Sequence, residues 1–390
     1  MTNRRGFFKK VGVLGLMGGL TKTLGFRIEE DMYQNNGYSS RAIRLVSEAT
    51  TIDMLGTFLD RSRRKNDMAV GRIWATIPGS FAPEDYAWVR SSGMNVFGWG
   101  SMSPTREAML EFVAEQNGII ASNPEYFLRI DSKKSLNEIN GSGKIGMLIT
   151  NQESSHFNDV DDVDLFYGLG QRVSQLTYNG KNDLGCGAFV DVDSGITAYG
   201  LKIVSRMNKV GMAVDVSHCG DKTTLGGIEA SSKPVLITHA ACRGIAKGVP
   251  RAKTDEAIKA MAETGGVIGI PILRFMISHE EPVIAQQFAD HIDYVAQLVG
   301  VEHVGIGSDQ GLNSEDAAPL SYRKYRIDNA PAGYKIHTND QYQISIEGIN
   351  HPQRIYDFAE MLIQRGYNDD HITMVLGGNF KRALSEIFTD

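Results

Sequence analysis

Apolar runs of four to eight residues recur along the chain, each bounded by glycine or polar residues, and most are separated by stretches with helical spacing. Thr51–Phe58, Met94–Trp99, Ile145–Gln152 and Gln175–Tyr178 read as the first four strands. Gly211–His218, Pro234–His239, Gly266–Leu273 and Val304–Gly307 read as the next four. Helical patterns fall at Pro83–Ser91, Arg106–Gln116, Asp161–Leu169, Thr197–Val210, Gly220–Lys233, Asp255–Glu263 and Phe288–Val299. Strands alternating with helices predict a parallel sheet with right-handed crossovers, and eight such units predict a closed (β/α)8 barrel, α/β in class. The polar stretch 312–350 reads as a rim or lid over the barrel mouth, followed by a helix over Ile355–Arg365. Gly377–Phe380 reads as a turn into a closing helix that ends near Phe388.

Composition changes this picture only at the N-terminus. Apolar residues at 42% and charged residues at 22% suit a globular chain and exclude wholesale disorder. Arg4-Arg5-Gly6-Phe7-Phe8-Lys9-Lys10, followed by a short apolar run over Val11–Leu20, resembles a twin-arginine export motif. That run is too short to span a bilayer comfortably. Residues 1–26 therefore read as an export signal, 27–390 as one barrel domain, and the periplasm as the destination, with tethering at the membrane if the signal stays uncleaved. Removing the signal takes away five cations and no acids, which moves the formal charge from −6 to −11. Such a surface argues against nucleic acid or an anionic membrane as partner. The three cysteines, Cys186, Cys219 and Cys242, have no zinc-finger spacing and read as small buried thiols.

Candidate chemistry gathers at the strand ends. Two strands joined by one crossover helix end in His218 and His239, and a third ends in Asp309. The carboxyl ends of barrel strands are where active sites sit. Two neutral imidazoles and a carboxylate there suit a divalent ion such as zinc. A single histidine in such a place would be read as a strand cap; the three together point to a site.

Longer stretches carry a family resemblance. Gly195–His218, Phe166–Thr177, His303–Asp309 and Gly377–Arg382 resemble the membrane (renal) dipeptidase family, zinc peptidases on an amidohydrolase-type barrel, over about residues 48–388. The resemblance implies two metals, held by a His-x-Asp pair on the first strand, a bridging acid on the third, and His218, His239 and Asp309. Here Leu55 and Thr57 stand where the first-strand pair is expected, and Gln152 where the bridging glutamate is expected. A shift of one residue would place Glu153 there instead, at the cost of an insertion in the strand. Either one zinc remains, held by His218 and His239 with oxygen from Gln152, Asp309 or water, or none does. Asp309 is then the expected general base and Tyr178 the expected donor to a developing oxyanion. Lys247 and Arg251 stand nearest the family's carboxylate-binding loop, so both are candidate substrate contacts.

These readings lead to an exported, metal-dependent hydrolase of dipeptide-like amides with one ion. Two other readings stay open: a binding protein that has lost catalysis, and a barrel enzyme with altered chemistry on an acidic small molecule. The oligomeric state is left open by the sequence, a homodimer being the state that analogy with relatives suggests.

Overall fold

The computed structural model describes residues 37–58, 67–314, 316, 318–330 and 342–389. The export signal read over 1–26 lies outside these residues, as does part of the expected rim. Eight parallel strands close on themselves: β1 (Ile52–Asp53), β2 (Val96–Ser101), β3 (Ile145–Asn151), β4 (Gln171–Gln175), β5 (Ala213–Asp215), β6 (Leu236–Ile237), β7 (Val267–Ile270) and β8 (Val304–Ile306). Each pairs with its sequence neighbours, and β1 with β8 completes the ring through Asp53 opposite Ile306. The short strand Phe127–Arg129 adds to β3 at its start, below the point where β4 begins to pair. This is the (β/α)8 barrel that the alternation predicts.

Strand alternation sorts side chains into two layers. Ile52, Val96, Leu148, Val173, Ala213, Leu236 and Val267 fill the barrel interior near the strand starts. Phe380, Leu384 and Ile387 of the last helix, Asn379–Ile387, join them and plug that end. Gly305 makes room for the plug, since a Cβ there would lie 2.6 Å from the Phe380 ring. The outward layer, including Phe97, Met147, Ile149, Val214, Ile237 and Ile268, meets the surrounding helices. With the lower end filled by apolar side chains, polar groups are left to the carboxyl ends of the strands.

Two expectations about elements need correction, and a third is met. The fourth strand is Gln171–Gln175, not Gln175–Tyr178. Its polar sequence hides it, because Arg172 turns outward to donate to Asp131 O at 2.7 Å and lies over the Tyr167 ring. The first stretch is split by a turn at Met54–Leu55, after which Gly56–Thr57 pairs with Gln310–Gly311 beyond the ring. The expected turn at Gly377 is present: its backbone, at φ 163° and ψ −16°, is non-helical and kinks the chain between Asp369–Thr373 and the last helix. Gly377 permits this by close approach: a Cβ there would sit 2.1 Å from Thr50 O.

Candidate active site

The route to His218 begins in a helix. Thr197 caps Ala198–Val210 by accepting from Gly200 N, and Ile203, Val204 and Met207 bury one face. Gly211, at φ 89°, ends the helix in the left-handed region and turns the chain into β5. Beyond Asp215 the chain bends through Val216-Ser217-His218-Cys219, and β6 ends likewise in Thr238-His239.

Asp215 ties these two strand ends together. Its Oδ1 accepts from Ser217 N at 2.9 Å, Ser217 Oγ at 2.5 Å and Thr238 N at 3.2 Å, and its Oδ2 from Thr238 Oγ1 at 2.6 Å. Burial pushes this carboxyl up; the hydrogen bonds pull it back only in part. Ser217 Oγ also accepts from His239 N at 3.1 Å, which locks the second histidine to the first turn.

The two imidazoles meet through Nε2, 2.9 Å apart. Their other nitrogens have partners that assign the tautomers. His218 Nδ1 lies 2.6 Å from Asn179 Oδ1, an acceptor, so Nδ1 carries the proton. Thr238 gives its hydroxyl proton to Asp215 and accepts from His239 Nδ1 at 2.9 Å. Both Nε2 atoms therefore present lone pairs to each other. Burial first, then the charge of Arg251, holds both imidazoles well below the ordinary histidine range, so both are neutral at pH 7. The Tyr178 ring stacks on His218 at 4.2 Å, and its backbone N–H donates to Glu153 Oε2 at 3.2 Å.

Two buried cations come from the loop between β6 and helix Asp255–Glu263. Arg251, 1% exposed, donates to Ser217 O and, at 3.2 Å, to His239 O, and its Nε has no partner. Lys253 donates to Val216 O at 2.6 Å, Cys219 O at 2.8 Å and Thr224 Oγ1 at 2.9 Å; burial pushes its ammonium down to about 7.

Asp309 follows the end of β8, where a Cβ on Gly307 would lie 3.2 Å from His239 Cα; it is half-buried at φ 56°, a conformation that aspartate tolerates better than most residues. Its N–H donates to Leu55 O at 2.8 Å. The preceding Ser308 is held by buried Asp53, which accepts its N–H at 2.8 Å and its hydroxyl. Arg354 reaches in from helix Arg354–Gln364 to Gly311 O at 3.0 Å and Leu312 O at 3.3 Å, with Asp53 Oδ2 at 3.9 Å.

The structure thus brings His218, His239, Arg251 and Tyr178 into one cluster and sets Asp309 beside Leu55. Gln152 continues the inward side of β3 after Leu148 and Thr150, while Glu153 turns away to Ser154, Ser155, Tyr178 and Asn182. The Gln152 amide nitrogen lies 3.4 Å from where a Gly100 Cβ would be, and Leu55 Cδ1 lies 2.5 Å from the same point. Leu55 is buried yet belongs to no hydrophobic cluster, an apolar side chain among polar groups. Lys247 is exposed on its loop. All three cysteines are buried and free. Sequence reasoning missed Asn179 and Lys253. Asn179 follows the end of an unrecognised strand, and nothing in local spacing marks Lys253 as buried.

As to a metal, two facing, unprotonated Nε2 lone pairs make a chelating pair that a cation would relieve, so the residues fit one ion. Leu55 and Thr57 stand where the resemblance implies a His-x-Asp pair and carry neither an imidazole nor a carboxylate. Among the described residues no three His, Cys, Asp or Glu side chains gather closely enough to hold an ion by themselves. Any third donor must then come from a group such as the Gln152 amide, or from movement of Asp309. Nor is any described helix long and apolar enough to cross a membrane.

Comparison with known proteins bears on the family and the fold. The dipeptidase verJ of Clonostachys rogersoniana is 33% identical over 64% of this chain and 57% of its own length. Dipeptidase 3 of Rattus norvegicus is 27% identical over 70% of this chain and 51% of its own. The chain thus spans about half the length of these curated relatives. In fold, it is similar to an amidohydrolase from Pseudomonas aeruginosa, with a TM-score of 0.73, 24% identity, and coverage of 90% of this chain and 99% of that one. A metallopeptidase from Rhodobacter sphaeroides, liganded with a phosphinate mimic of L-Ala-D-Ala, gives a TM-score of 0.68 at 16% identity, covering 87% of this chain and all of that one. The family model for membrane dipeptidase, peptidase family M19, matches residues 41–319, and the chain belongs to that family of metallopeptidases.

Proposed function

We propose that this chain is a metal-dependent hydrolase of dipeptide-like amides that works with a single ion, held by His218 and His239 with an oxygen donor such as Gln152. The facing Nε2 lone pairs, each fixed by a partnered Nδ1–H, are the observation that carries this reading. When bound, zinc would supply an activated water and a polarised carbonyl. Asp309, at the end of β8, takes the proton of the attacking water. The Tyr178 hydroxyl, at the end of the ring stacked on His218, donates to the carbonyl oxygen as charge develops there. Arg251 recognises the substrate carboxylate, since its buried guanidinium keeps an unpartnered Nε and no carboxylate lies at ion-pair distance among the described residues. Lys247, exposed on its loop, is at most an outer contact. The twin-arginine-like start adds export to the periplasm, which cell fractionation of an Arg4→Lys/Arg5→Lys variant tests.

The experiment is metal analysis of protein never exposed to chelator, paired with a dipeptide hydrolysis assay on wild type and His218→Ala. About one equivalent of zinc and turnover abolished by the substitution support the reading. Protein with less than about half an equivalent, and no turnover after zinc is supplied, defeats it.

A second reading rests on Leu55, Thr57 and Gln152, whose side chains dismantle one metal centre. It makes the chain a dipeptide-binding protein without catalysis. Thermal stabilisation by dipeptides with no product formed in the presence of zinc would favour it over hydrolysis.

A further inference from the structure

The segment Arg251-Ala252-Lys253 meets the backbone around both histidines. Four carbonyls, those of Val216, Ser217, Cys219 and His239, accept hydrogen bonds from its two cations. Lys253 makes the more specific contribution. It takes one carbonyl from before His218 and one from directly after it, and joins both to Thr224 Oγ1 on the next helix, Asp221–Ala230. Its own backbone is anchored as well: Lys253 N donates to Ala241 O, and Lys253 O accepts from Arg243 N, both at 2.8 Å. Thr254, directly after it, caps helix Asp255–Glu263 by accepting from Ala257 N at 3.1 Å. The ammonium therefore hangs from a fixed point.

A cation in this place is costly. Lys253 is 2% exposed, and among the described residues no carboxylate lies at ion-pair distance from it. A methionine could fill the same volume without desolvating a charge. What the ammonium adds is three donors directed at three oxygens at once. Two of those oxygens belong to the turn Val216–Cys219, which Cys219 N closes onto Val216 O at 3.1 Å, and His218 is carried within that turn.

We infer that Lys253 is a positioning residue: it ties the Val216 and Cys219 carbonyls to Thr224, fixes the turn that carries His218, and so aims His218 Nε2 at His239 Nε2. This rests on the proposed single-ion function for what the pair binds, but the positioning itself exists without the ion. Lys253 does not touch the imidazoles; its effect passes through the backbone.

The test uses full-length, metal-free protein with 15N-labelled histidine, observed by long-range 1H–15N spectra. In wild type, His218 is expected to show one sharp pattern, protonated at Nδ1 and bare at Nε2. In Lys253→Met the His218 pattern should broaden or average between tautomers, while His156 keeps its wild-type signals as an internal control. Lys253→Arg, which keeps donors and charge, should restore the single pattern. Affinity for Co2+, measured by chelator competition, should fall at least tenfold in Lys253→Met and recover in Lys253→Arg. A folded Lys253→Met protein with an unchanged His218 pattern, or with Co2+ affinity equal to or above wild type, overturns the inference. Should Lys253→Met fail to fold, Thr224→Val removes one of the three acceptors; a His218 pattern unmoved in that variant overturns it equally. If wild type takes up no Co2+ while Lys253→Met still disorders the His218 tautomer, the single-ion function fails and the positioning role stands.

Discussion

His218 and His239 face each other through Nε2 at 2.9 Å, and each has its remaining ring nitrogen donating to a buried oxygen. Asn179 supplies that oxygen for His218 and is 6% exposed, so no water replaces it readily. Partners of this kind fix ring orientation and ligand basicity. Asn179→Ala should lower zinc or Co2+ affinity about 10–100-fold while the fold is kept, read by chelator competition alongside circular dichroism. Asn179→Asp keeps the acceptor and adds a negative charge beside the ring, so it should lose far less. Equal losses in both variants would remove Asn179 from its orienting role.

How much of this site was legible beforehand differs between residues, for physical reasons. His218 and His239 end apolar runs whose periodicity is strong, so both position and direction could be read from spacing. The end of β4 could not, because Gln171–Gln175 carries polar residues on both faces: Arg172 is satisfied by backbone oxygens outside the barrel and Gln175 by Gln152 O and Thr177 O within it. Missing that strand hid Asn179, four residues beyond its end. That Leu55 and Thr57 stand where the resemblance implies first-strand ligands was legible from the sequence. That Leu55 fills the space beside Gly100 and Gln152 required the fold. Arg251 and Lys247 were equivalent as loop cations, and only tertiary packing buries one and exposes the other.

The proposed single-ion reading, with Leu55, Thr57 and Gln152 in place of ligands that the resemblance implies, makes a prediction about metal stoichiometry. Wild type should saturate at one equivalent of zinc by inductively coupled plasma analysis. The triple variant Leu55→His/Thr57→Asp/Gln152→Glu restores the missing donor types at strand ends already in place, and should saturate at two. In wild type, free zinc at a thousand times its Kd should raise unfolding free energy by about 4 kcal/mol over chelator-treated protein. Two equivalents in wild type would contradict the single-ion assignment.

Asp53 and Arg354 are both buried, at 2% and 3% exposed, and hold the loop that carries Asp309. Burial raises the Asp53 carboxyl although Arg354 and Ser308 both favour its ionised form. Arg354→Met leaves that carboxyl without its cation and removes donors from Gly311 O and Leu312 O. Breaking a buried pair from one side costs about 3–5 kcal/mol, so a loss of that size is expected in urea unfolding. The double variant Asp53→Asn/Arg354→Met should lose less than the two single losses added, because the stranded charge is gone. Strict additivity would show that the two residues do not act on each other.

Acid should destabilise this protein through its buried histidines. Burial pushes His156 and His291 down to about 4, and holds His218 and His239 well below the ordinary value. The unfolded chain takes up these protons near pH 6.5, whereas the native state does not, so it binds more protons as pH falls below 6.5. Unfolding free energy therefore drops on acidification, by up to about 1.4 kcal/mol per pH unit for each such histidine. For His156 and His291 the drop ends near pH 4, where the native state also binds the proton. Asp53 and Asp215, whose carboxyls burial raises, work in the opposite sense at the acid end, because their native forms take up protons before the unfolded chain does. His291 gives the cleanest test. Its Nδ1 accepts from Cys242 N at 3.1 Å and its Nε2 lies 3.1 Å from Ile277 O, so a glutamine amide can replace both roles without titrating. Urea unfolding of His291→Gln between pH 4.5 and 6, about the middle of that window, should show a slope shallower than wild type by about 1 kcal/mol per pH unit. An identical slope would mean that His291 is already protonated in the folded protein across that range.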